Sequence, residues 1–127
     1  MVEVEDMAFE NLVKEKSKQF AIRIVRLYQM LHETQNEYVL SKQVLRSGTS
    51  IGANIAEAVC AMSRKDFLAK LYVAYKECAE TMYWLELLHD TDYLPEPLFQ
   101  SLYQDNLELY KLLTSIIKTT KKTLDQQ

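Results

Sequence analysis

Glycine and proline are scarce in this chain of 127 residues, with two of each. Sheets and hairpins need many tight turns, which those residues supply, so an all-β fold is excluded and long helices are favoured. Cysteine is equally sparse. Cys60 and Cys78 stand alone within helical patterns and form no CxxC pair, so the expectation is two buried, reduced thiols in a cytoplasmic protein. No apolar run approaches the roughly 20 residues of a membrane span. The acidic start, Met1-Val2-Glu3-Val4-Glu5-Asp6, has no apolar core region and does not read as a secretory signal. A Gly-rich phosphate loop and a nucleophile elbow are also missing.

What is present is a globular composition, 48% hydrophobic and 26% charged, with a formal net charge of −3. That balance argues against an indiscriminate nucleic-acid binder. The charge is unevenly placed, however. Residues 38–65 carry four basic side chains and one acidic, residues 66–110 two basic and nine acidic, and residues 111–127 four basic and one acidic.

Apolar spacing of three and four marks four helices, over about 8–33, 39–61, 63–89 and 98–121. The first has a stripe of Phe9, Leu12, Val13, Phe20, Ile24, Leu27, Tyr28 and Leu31. Its outer side carries Lys14, Lys16, Lys18, Arg23 and Arg26. Thr34-Gln35-Asn36 is the expected break. Ser63 reads as the N-cap of the third helix, with Asp66 near the positive end of its dipole. The third stripe is Phe67, Leu71, Ala74, Cys78, Met82 and Leu85. Pro95 and Pro97 place a loop over Asp90 to Pro97. The fourth helix has Leu102, Leu109, Leu112, Leu113, Ile116 and Ile117, and the Lys-rich tail after about Lys121 is expected to fray. Short connections between helices of similar length imply one domain, an all-α, antiparallel up-down-up-down four-helix bundle.

The second helix is unusual. On a wheel of about 100° per residue, Val44, Ile51, Ile55 and Val59 form a core stripe. Gln43, Arg46, Ser47, Ser50, Asn54 and Glu57 form a second face, and Thr49, Gly52, Ala53, Ala56 and Cys60 a small-residue sector. Two glycines inside a helix, Gly48 and Gly52, cost roughly 1 kcal/mol each relative to alanine. Such a cost signals close backbone approach by a neighbour. A solvated face of this length ordinarily carries Lys and Glu, so the short polar side chains suit a packed, hydrogen-bonded interface. Glu77, Glu80, Thr81 and Trp84 on the third helix are the available partners, and a carboxylate there can pair with Arg46, bidentately in the best geometry. Glu86-Leu87-Leu88-His89 has the spacing of half a di-iron site. The remaining histidine, His32, has no glutamate three residues before it, so neither a metal nor another cofactor is expected.

The run from Gln43 to Ala58 resembles the signature of the four-helix-bundle family related to the 23S rRNA intervening-sequence protein. The likeness continues through Ser63, Arg64, Asp66 and Phe67, then Ala74, Lys76, Glu77, Glu80 and Thr81, and the run Tyr83 to Leu88. It is close over about residues 20–90, and Ala58 stands where many members carry glycine. The resemblance implies a cytosolic bacterial or archaeal bundle assembled as a homopentamer. Some relatives of that family are encoded inside insertions of ribosomal RNA genes. A similar fold occurs in the accessory protein of diversity-generating retroelements, a basic pentameric barrel that binds RNA and a reverse transcriptase. The resulting expectation is a non-enzymatic oligomer that binds structured RNA or a nucleoprotein through Lys14, Lys18, Arg23, Arg26, Lys118, Lys121 and Lys122. The packing and assembly determinants would be Gln43, Arg46, Ser47, Ser50, Asn54, Glu57, Glu77, Glu80 and Trp84. The alternatives are a protein-interaction scaffold without nucleic acid and, remotely, a metal-dependent bundle enzyme.

Overall fold

A computed structural model describes residues 4–126. It contains four helices, α1 (Val4–Gln35), α2 (Leu40–Val59), α3 (Arg64–Asp90) and α4 (Glu96–Asp125), with no strand among the described residues. Each break has a local cause. Asn36 takes φ 54° and turns the chain out of α1, a conformation asparagine tolerates better than most residues. Ser63 is extended (φ −148°, ψ 162°) and its side chain accepts from the Asp66 N–H at 3.1 Å, the N-cap expected of it. α3 ends in a Schellman arrangement around Asp92 at φ 69°. There the Tyr93 N–H donates to the Leu88 carbonyl at 2.9 Å and the Asp92 N–H to that of His89 at 3.1 Å.

α4 departs from expectation at both ends. It begins at Glu96, so Pro97 lies within its first turn rather than in a loop. The missing proline N–H has no helical acceptor there in any case. At the other end the helix continues through the lysine-rich segment to Asp125, because Ile117 and Thr120 remain buried and hold the last turns on the bundle. α2 is shorter than expected and stops at Val59.

Each helix packs on its neighbours in chain order, α1 on α2, α2 on α3 and α3 on α4. α4 returns more lightly to α1, and the diagonal pairs make no close approach. Facing residues run in opposite order along each pair. Ile24 and Ser17 meet Gly48 and Gly52. Ser47 and Glu57 meet Thr81 and Lys70. Tyr75 and Cys78 meet Tyr110 and Asn106, and Lys16 and Arg23 meet Glu108 and Asp105.

The core is drawn from all four stripes. Three apolar positions differ from the wheel. Leu12 and Val59 are 43% and 37% exposed, and Cys60 is exposed rather than buried. Val59 and Cys60 lie where α2 ends. Cys78 is fully buried, and burial, helped by the charge of Glu77, pushes its thiol up to about 12.

Candidate functional site

The glycines of α2 serve the contact with α1. A Cβ on Gly48 would lie 2.8 Å from Ile24 side-chain carbons, and one on Gly52 3.3 Å from the Ser17 carbonyl oxygen. Close approach therefore occurs inside the chain. Next to this seam, Thr49, Ser50 and Asn54 turn their side chains back along the helix. The Thr49 hydroxyl donates to the Leu45 carbonyl at 2.7 Å, Ser50 to Arg46 at 2.6 Å, and the Asn54 amide to Ser50 at 2.8 Å. With those groups satisfied, the outward surface of α2 is short and nearly uncharged. Gln43 is exposed, and Glu57 pairs with Lys70 at 2.9 Å.

Ser47 does not belong to that outward face. It is fully buried, and its hydroxyl hydrogen-bonds Thr81 of α3 at 2.9 Å, while Thr81 also donates to the Glu77 carbonyl at 2.8 Å. Just outside this buried pair, Arg46 forks between two carboxylates instead of gripping one bidentately. Its Nη1 lies 3.4 Å from Glu77, and its Nη2 bonds Glu80. The Trp84 indole N–H donates to the same Glu80 carboxylate at 3.0 Å, and Tyr83 meets Trp84 edge-on. The Trp84 bond, against the opposing effect of burial and with Arg46 added, holds the Glu80 carboxyl below its ordinary range. The bond to Glu80 in turn raises Arg46.

The basic side chains divide into two groups. Arg23 is engaged with Asp105 at 2.6 Å and Lys16 with Glu108 at 2.5 Å, so both belong to the α1–α4 seam. Arg26 is exposed and bonds Gln29 at 3.2 Å. Lys14, Lys18, Lys118, Lys121 and Lys122 are exposed, with no carboxylate partner among the described residues.

Two features escaped the sequence reading. Glu37 is buried before α2, where one carboxylate oxygen accepts from the Val39 and Leu40 amides at 3.0 and 2.8 Å and the other from Ser41 at 2.6 Å. Burial pushes this carboxyl up, but the three amides outweigh it and the pKa is lowered. The signal was present as an acid three and four residues before Leu40 and Ser41, though the wheel begins later. Asn106 is the other. It is fully buried and donates to the Cys78 carbonyl at 2.9 Å across α3 and α4. His89, whose spacing from Glu86 was noted and set aside as a metal motif, bonds Glu96 and stacks on Phe99.

Residues 10–115 match the 23S rRNA-intervening sequence protein family. The chain belongs to that family. Its fold is shared with a crystal structure from Bacteroides thetaiotaomicron, described as a protein with unknown function from the S23 ribosomal protein family. That structure is 56% identical, with a TM-score of 0.85 over 87% of this chain and 98% of the other. No curated protein matches the chain. The run from Gln43 to Ala58 that carries the resemblance lies in α2, where it supplies the glycine contact with α1, the buried Ser47–Thr81 bond and the Arg46 fork.

Proposed function

We propose that this member of the family is a non-enzymatic adaptor, a self-assembling antiparallel up-down-up-down bundle of the cytoplasm, pentameric in its full form, that binds structured RNA or a nucleoprotein. The opposite running of facing residues along each helix pair supports the antiparallel arrangement. The observation that carries the RNA reading is the set of unpaired lysines. The Lys16–Glu108 and Arg23–Asp105 pairs run in opposite order along α1 and α4, so residues before Lys16 lie toward the same end of the bundle as residues after Glu108. Lys14 and Lys18 flank that contact on α1, and Lys118, Lys121 and Lys122 lie beyond it on α4. Repeated around an oligomer, a modest patch becomes a ring with many phosphate contacts. Self-assembly is supported by the charge-poor outer face of α2 and by the exposed Tyr72, Val73 and Tyr83 of α3.

A scaffold that binds only protein is the second reading, favoured by the acidic end of the bundle around the α3–α4 turn, with Glu86, Asp90, Asp92 and Glu96. Gel shifts with ribosomal RNA fragments over a salt series separate the two. Binding that weakens with salt, and whose salt slope shallows in a Lys118/Lys121/Lys122→Ala variant, is expected. No shift at low salt overturns the RNA reading and leaves the scaffold. A monomeric mass in solution overturns the assembly.

A further inference from the structure

His89 stands in the last turn of α3, and Glu96 in the first turn of α4. Between them the chain reverses at Asp92. The imidazole lies flat on Phe99 of α4, with ring centroids 4.1 Å apart and planes at 15°. Its Nε2 faces the Glu96 carboxylate, and its Nδ1 is 3.4 Å from that of Asp90. Glu96 is itself held by Gln100, whose amide donates to it at 2.9 Å. The ring therefore spans the turn, with a carboxylate at each nitrogen. A neutral imidazole has one N–H and can satisfy one of them, whereas an imidazolium satisfies both.

The surroundings favour the charged form. A cation at the C-terminus of α3 and an anion at the N-terminus of α4 each complement their helix dipole. On α3 the next ionisable group is Glu86, one turn back. The turn contributes Asp92, and α4 adds Tyr103. α2, packed on another side of α3, has Lys42 in its first turn, and Glu37, already held by amides, lies in the connection before it. Carboxylates thus outnumber cations around the ring.

We propose that His89 is a proton-operated clasp on the α3–α4 turn, shut when its imidazolium bridges Asp90 and Glu96 and slackened when the ring is neutral. The Glu96 bond, against burial and with Asp90 added, raises the pKa of His89, while the Gln100 and His89 bonds lower that of Glu96. With His89 raised, the contribution of the clasp is complete below its ordinary value of 6.5 and is lost as pH climbs through the folded value. With Glu96 lowered, it is also lost when pH falls through that carboxyl's folded value. The acidic end of the bundle is therefore held most firmly in mildly acid solution and loosens toward alkaline pH.

The test is an NMR titration of the His89 ring in the full chain and in Glu96→Gln, with amide exchange of Tyr93 and Leu94, whose N–H groups bond Leu88 at 2.9 and 3.3 Å. His89 is expected to titrate above 6.5, and Glu96→Gln to bring it down by about half a unit or more. After correction for intrinsic base catalysis, exchange at those two amides should quicken about two-fold or more across the titration, and lose that dependence in His89→Gln. A ring that titrates at its ordinary value whatever stands at position 96 overturns the clasp. So does an exchange profile that is the same with and without the imidazole.

Discussion

Gly48 and Ile24 are in such close register that a Cβ on the glycine would meet two isoleucine side-chain carbons at 2.8 Å. Gly48→Ala sets a gain of about 1 kcal/mol in helix propensity against overpacking of about 1–3 kcal/mol in a dense core. Ile24 is fully buried with little room to yield, so a net loss of up to about 2 kcal/mol is expected in urea denaturation. Combining Gly48→Ala with Ile24→Ala, which removes both of those carbons, should cost less than the sum of the two single changes, since the pair share one space. Strict additivity would show that the contact is not the cause.

Glu37 provides a pH dependence with a definite sign. Its folded pKa is lowered from an ordinary 4.5, so its stabilisation is present above that value and lost as pH falls through the folded one. Glu37→Gln keeps the shape but replaces one of the two accepting oxygens with an amide nitrogen that cannot accept, at a cost of about 0.5–2 kcal/mol near neutral pH. The difference between wild type and variant should shrink as the carboxylate protonates. Chemical denaturation from pH 7 down to pH 3 measures it, and a constant difference over that range refutes the assignment.

Trp84 is the sole tryptophan and donates to Glu80, so its emission should follow the protonation of that carboxylate. Its fluorescence is expected to change with a midpoint below 4.5 in wild type, moving upward in Arg46→Ala as the cation is removed. Arg46 is half exposed, so the same substitution should lower stability by no more than about 1 kcal/mol. If the α2–α3 face assembles the protein, Arg46→Ala also lowers the oligomeric mass seen by light scattering. An unchanged mass removes Arg46 from the interface.

The thiols should differ sharply. Cys60 is exposed, whereas Cys78 is buried with its pKa pushed up to about 12. An aromatic disulfide reagent at pH 8 should therefore titrate one thiol per folded chain and two in denaturant. Rapid reaction of both in the folded state would mean that the middle of α3 opens readily.

Helix number, the break at Asn36, the Ser63 cap and most of the buried stripe positions were legible from spacing and local chemistry, since each depends on residues within a few positions. Helix ends were less so. Pro97 and the segment from Lys122 to Asp125 were assigned by intrinsic tendency. The structure keeps them helical because a first-turn proline forfeits no bond, and because Ile117 and Thr120 are buried against other helices.

The second helix shows where local reading stops. Its sequence alone determined that α2 would be helical, with a core stripe, two costly glycines and a polar face too poor in charge for an ordinary surface. Tertiary structure decided what each of these meets. Gly48 and Gly52 answer to Ile24 and Ser17, 24 and 35 residues earlier, and Ser47 answers to Thr81, thirty-four residues later. It also withdrew Arg23 from the free cations by placing Asp105 beside it. A wheel reports the direction in which a side chain leaves its own helix. Whether that direction ends in solvent, a hydroxyl or a neighbouring backbone depends on the register of other helices, which no single helix encodes.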